Sequence, residues 1–280
     1  MVLQREEYIE QAYFFRTLRE GLQRGLSTQE VLAGVRNELL ATTKLPLALD
    51  FMGSEMRLTG GFHTAMTRMD HYFTPFQAYV VGEAENPEGR LDFQTALAIL
   101  EHEADCRAKS LSVQGMFLYQ FEALCRNRLG YDRGLEAIAA DPIYDQLWRE
   151  WIDFVRRQVG IVDLADMIYI RSEYFRTLRG DAIQPILFGE KEGRIALANR
   201  KKDPLFLFSA LGRHLGYPPV PRPRRADDEG PQLIVLQRRL DRLEQRLRLT
   251  EEELRGGINL NRFLASESPP PGGAAPEFPK

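Results

Sequence analysis

Apolar side chains recur three or four positions apart almost continuously up to about residue 180, the period that lines one face of an α-helix. Tyr8, Ala12, Phe15, Leu18 and Leu22 form the first such stripe. Gly25 ends it. Ser27 opens the next helix with a capping box, its hydroxyl accepting from the Glu30 amide while the Glu30 side chain reaches back. Leu26 and Val31 hold the positions of a hydrophobic staple around that start. Further helices are expected to begin near Pro46, Pro75, Leu91 and Ser112. Asp141 followed by Pro142 reads as an N-cap with proline in the first turn, and the helix behind it puts Leu147, Trp151, Phe154 and Val155 on one side. "VDLADMIYIRSEYFRTLR" gives another helix capped by Asp163, and Asp203–Pro204 repeats the Asp-Pro start. Strands are scarce, so the pattern predicts an all-α, multi-helix bundle over residues 1–217.

One stretch leaves the period open. "LFGEKEGRIALANRKKDP", residues 187–204, fits a short β-hairpin from Ile186–Phe188 through Gly189–Gly193 into Arg194–Ala198. It fits a helix from Glu190 onward equally well. Its polar members Glu190, Lys191, Glu192, Arg194, Asn199 and Arg200 are candidate ligand-binding residues, and the cations at 200–202 precede a helix start whose free amides favour an anion. Against this, Asp203 would occupy those amides as the cap, and charge runs of this kind are usually solvated faces.

Two echoes run along the chain. "FRTLR" stands at 15–19 and again at 175–179, and "FEALCRNRLGY" (121–131) resembles "FSALGRHLGY" (208–217). The two offsets disagree, which argues against a regular repeat array. The second echo reads as a shared helix ending, with Gly130 and Gly216 in left-handed caps and Tyr131 and Tyr217 folding back as the apolar contact.

Beyond Tyr217 the composition changes. Residues 218–230 are rich in proline and predict an extended linker. A leucine heptad follows over 231–256, with Leu233, Leu240, Leu247 and Leu254 at a and Leu236, Leu243 and Thr250 at d. In a parallel pair Arg239 would face Glu244 and Arg246 would face Glu251, both attractive, each exposed pair contributing about 0.2–1 kcal/mol. This predicts self-association as a parallel coiled-coil dimer. The competing arrangement is a single amphipathic helix packed on the body of the same chain. Residues 257–280 add the short apolar motif "INLNRFL" and a tail disordered by composition.

Composition then narrows the function classes. Of 280 residues 44% are hydrophobic and 28% charged, with a net charge of −3, so the chain can bury a core and carries no global field for nucleic acid. Residues 200–225 hold a local basic stripe without a recognisable reading motif. No signal-peptide start and no membrane-length apolar run appear, which points to the cytoplasm. Cys106 and Cys125 read as buried thiols, although Arg126 beside Cys125 is a neighbour that could favour thiolate.

Catalytic signatures are missing. No glutamate stands three residues before a histidine, His-Glu-x-x-His is absent, and the acids around His102 read as a solvated helix face, so neither metal nor cofactor is expected. There is no P-loop, no nucleophile elbow and no Cys-x-x-Cys. The sequence therefore reads as a non-enzymatic oligomeric scaffold or adaptor that binds an unidentified protein partner. The alternative is an enzyme or small-ligand binder with a polar pocket inside the helical body. Glu122, Arg126, Asp163, Asp166, Arg171 and Glu173 discriminate the two, since paired charges would be structural and charges around a concavity functional.

Overall fold

The computed structural model describes residues 2–39, 42–180 and 184–223, and the linker beyond Pro223, the heptad leucines and the tail lie outside the described residues. Within the described residues the chain folds into thirteen helices and no sheet. They are α1 (Arg5–Gln23), α2 (Thr28–Glu38), α3 (Leu45–Thr59), α4 (Phe62–Arg68), α5 (Pro75–Glu85), α6 (Phe93–Ala108), α7 (Val113–Asn127), α8 (Tyr131–Ala139), α9 (Gln146–Gln158), α10 (Leu164–Ile170), α11 (Glu173–Arg179), α12 (Glu190–Ala198) and α13 (Pro204–Leu215). The fold is all-α, as the periodicity requires. No helix among the described residues is long and apolar enough to cross a membrane.

Local chemistry fixes many of the boundaries. The α2 capping box forms between Ser27 and Glu30, and a second one forms at α5 between Thr74 and Gln77 with Pro75 at the first helical position. Ser112, Asp163 and Asp203 cap α7, α10 and α13. Two helices lack a cap of their own and take one from another element. Glu7 on α1 accepts from the Lys44 amide at the start of α3, at 2.9 and 3.1 Å. Glu85 on α5 accepts from the Phe62 and His63 amides that open α4 behind the side-chain-less Gly61.

Several expectations need correction. Residues 190–198 are helix α12, not a hairpin arm. Acids in the first turn suit the helix dipole there, and Glu190 pairs with Arg194 one turn on at 2.5 Å. Asp141 does not cap α9. It is fully buried and claimed by Arg107, so Asp145 caps the helix instead, accepting from the Trp148 amide at 2.9 Å. The buried side of α9 is Trp148, Trp151, Ile152 and Val155, leaving Leu147 at 42% and Phe154 at 43% exposure. The helix expected from Asp163 through Arg179 breaks at Arg171–Ser172. There the Leu187 and Phe188 amides both donate to the Arg171 carbonyl, and the Ser172 hydroxyl accepts from Phe175 to start α11. Of the paired helix endings only one is left-handed at glycine, Gly216 with φ of 81°; Gly130 has φ of −62°, and Arg128 takes the left-handed position. One compact unit covers Met1–Pro223, within which Val220 is buried and Asn127 donates to the Pro221 carbonyl at 3.1 Å.

The core is continuous from α1 to α13. Tyr8, Ala12, Phe15 and Leu18 of the first stripe are all buried, and α1 packs most extensively along α6. Arg16 and Arg19 reinforce that contact by each donating to Glu101 at 2.7 Å. In the second half Phe117, Trp148, Trp151 and Phe188 form an aromatic cluster with ring centroids 4.9–5.9 Å apart, several of them edge to face.

Candidate functional site

The polar residues singled out between 190 and 200 make separate local contacts. Glu190 pairs with Arg194, whose guanidinium lies over the Tyr174 ring at 5.2 Å. Glu192 accepts from His214 of α13 at 3.0 Å. Arg200 pairs with Asp166 and covers Tyr169, Asn199 donates to the Ile195 carbonyl one turn back, and Lys191 is exposed. These contacts tie α12 to α10, α11 and α13. The amide of Lys201 is also used, donating to Asp163 at 2.7 Å.

The discriminating charges divide the same way, with one exception. Glu122 pairs with Arg126 on α7, Asp163 serves two backbone amides, Asp166 holds Arg200, and Glu173 is an exposed first-turn acid of α11. Arg171 is different. It lines a cleft of about 270 Å³ between α9 and α10, walled by Trp151, Phe154, Val162, Met167 and Ile170. Its Nη1 donates to the Gln184 side chain at 3.2 Å, while its buried Nε has no protein partner. Burial lowers the affinity of this guanidinium for its proton, and the Glu150 carboxylate at the same cleft partly restores it.

Trp151 stands in the same wall. It is 2% exposed, and its indole Nε1 also lacks a protein acceptor. A buried N–H without an acceptor costs about 1–3 kcal/mol. Both groups are held firmly. The Trp151 ring is enclosed by Phe117, Trp148 and Phe188, and the Arg171 backbone is pinned by the two amides from 187 and 188.

Of these residues the sequence singled out Arg171, Trp151 and Phe154. It missed Glu150 and Gln184, whose surroundings depend on how α9 and the segment before α12 meet. The available signal was a cation interrupting the apolar run "MIYIR".

Arg19 Nε, Glu55 Oε2, Gln94 Oε1, His102 Nδ1 and Asn127 Oδ1 are likewise buried without a protein partner. Glu103, Arg107 and Asp141 form a buried triad joined by the side chains of Gln77, Gln120 and Tyr144. Among the described residues no three His, Cys, Asp or Glu side chains are grouped to hold a metal ion. Cys125 is not activated by Arg126: burial pushes its thiol up to about 12, and does the same to Cys106. No family model matches the chain, and neither do any curated proteins or solved structures.

Proposed function

We propose that the protein is a self-associating, non-enzymatic adaptor, in which a parallel coiled coil over residues 231–256 pairs two helical bodies that each bind a protein partner. The heptad register carries this reading: leucine fills every a position from Leu233 to Leu254, and the Arg239–Glu244 and Arg246–Glu251 pairs favour a parallel partner. The use of charge in the body supports it. Side chains that an enzyme would direct at a substrate are spent on one another, Glu122 on Arg126, Asp166 on Arg200 and Glu192 on His214. Pairing would turn a second weak contact into an intramolecular one, which raises avidity without any new interface. Two free thiols held protonated by burial suit a cytoplasmic setting.

Native mass spectrometry of the whole chain and of a version stopped at Asp228 tests the reading. A dimer that becomes monomeric on truncation supports it, as does dissociation on replacing Leu240 and Leu247 with serine. A monomer in every case overturns it.

A further inference from the structure

We infer that the cleft between α9 and α10 binds a carboxylate carried on a small apolar body. This goes beyond the adaptor reading and stands whether or not the chain pairs.

The donor set decides the polar end of the ligand. The Arg171 guanidinium lines the cleft, its one side-chain hydrogen bond among the described residues goes from Nη1 to the neutral Gln184, and no carboxylate among them forms an ion pair with it, so the complement it lacks is an anion. A guanidinium presents its donors as a planar fork that matches the two oxygens of a carboxylate. The walls decide the rest. Trp151, Phe154, Val162, Met167 and Ile170 offer hydrocarbon and sulfur surface, which suits an apolar body and not a sugar or a nucleotide. Phe154 and Ile170, each 43% exposed, form the part of this surface that a ligand would cover.

Charge and size restrict it further. Among the described residues Arg171 is the single cation lining the cleft, and Glu150 stands on the same lining. A dianionic phosphate would meet one positive and one negative neighbour, whereas a singly charged carboxylate needs only the one cation. A volume of about 270 Å³ is just under the usual range for ligand pockets, roughly 300–1,000 Å³. At ~30 Å³ for each water-sized group it admits about nine of them, the size of a six-carbon acid. The aromatic cluster behind Trp151 and the pinned backbone of Arg171 keep the site in shape before binding, which lowers the ordering cost.

The carboxylate could belong to a free small acid or to the C-terminus of a peptide ending in an apolar residue. Trp148 and Trp151 are the chain's two tryptophans and both sit in the cluster, so intrinsic fluorescence of the full chain reports on the site. Hexanoate should change it saturably, with hexan-1-ol binding about tenfold more weakly or worse. Arg171→Met should abolish that preference, and Glu150→Gln should tighten hexanoate several-fold by removing the opposing charge. Gly-Gly-Leu with a free terminus, compared with its amide, assigns the source: tighter than hexanoate points to a peptide end, weaker to a small acid. Equal binding of acid and alcohol, an unchanged preference in Arg171→Met, or no saturable response up to about 10 mM each overturns the inference. Should Arg171→Met fail to fold, the acid–alcohol comparison on the unaltered chain decides alone.

Discussion

Arg107 donates to both carboxylate oxygens of Asp141, a residue 34 positions further along the chain. The same guanidinium donates through Nε to Glu103, one helical turn earlier, at 2.7 Å. Burial by itself would disfavour its charge, but the two carboxylates hold it protonated well above its ordinary range. The remaining acceptor sites go to Gln77, Gln120 and the Ile143 amide. One cation thus fastens α6 to the turn that leads into α9.

Arg107→Met strands two carboxylates in the interior and should lower the unfolding free energy by about 3–5 kcal/mol. Arg194→Met removes an exposed pair and a contact over the Tyr174 ring and should change it by no more than about 1 kcal/mol. Urea titrations of both variants check the contrast. Similar losses for the two would show that burial is not what makes the triad matter.

Two glycine-to-alanine changes should have opposite signs. At Gly193 an added Cβ would stand 2.6 Å from Ser172 Cβ and 2.8 Å from Tyr174 Cβ, too close for α12 to keep its place beside α11. Gly193→Ala should destabilise by about 1–3 kcal/mol. Gly34 lies on an exposed face of α2 with nothing near its added Cβ, so Gly34→Ala should stabilise by up to about 1 kcal/mol through helix propensity. Thermal and urea unfolding of the two proteins would separate crowding from propensity.

His102 gives the fold a dependence on pH. Its imidazole is held below the ordinary range by burial, against the pull of Glu101 and Asp105 and with Arg19 opposing the charge. The unfolded chain therefore takes up this proton more readily than the folded one. Its contribution to stability is whole above the ordinary imidazole value of about 6.5 and is lost as pH falls from there toward the depressed folded value. Denaturation midpoints at about pH 8 and about pH 5.5 should differ less in His102→Gln than in the parent chain. An identical slope in both assigns the dependence to other groups.

Both cysteines should be slow nucleophiles. With thiols pushed up to about 12, only about one part in ten thousand is thiolate at pH 8. Alkylation of the folded chain at that pH should be at least about a hundredfold slower than in denaturant. Rapid labelling of Cys125 in the folded protein would contradict this.

What the sequence disclosed was mainly what its short-range chemistry decides. The first apolar stripe repeats along a single helix, the Ser27 cap and the Asp203 start depend on residues within one turn, and all are found where the pattern puts them. The errors have a common origin in contacts made from far away. Asp141 looked like a cap until a buried arginine claimed it, and α10 parted from α11 because the amides at 187 and 188 took the Arg171 carbonyl. Trp151 and Phe154 lie within one helix pattern, yet one is enclosed and the other borders a cleft, a distinction set by partners in other elements. The cleft itself was legible only as a cation in an apolar run.

The borrowed caps of α3 and α4 bear on how the first half of the chain acquires its structure. Glu7 reaches the start of α3 only once α1 is in position, and Glu85 reaches the start of α4 only once α5 has docked. Short helices are marginal in water, and these two begin without a side-chain cap of their own. A peptide covering residues 45–68 should therefore be largely unstructured in isolation. For this part of the molecule, helix formation and tertiary assembly are one cooperative event, not two successive ones.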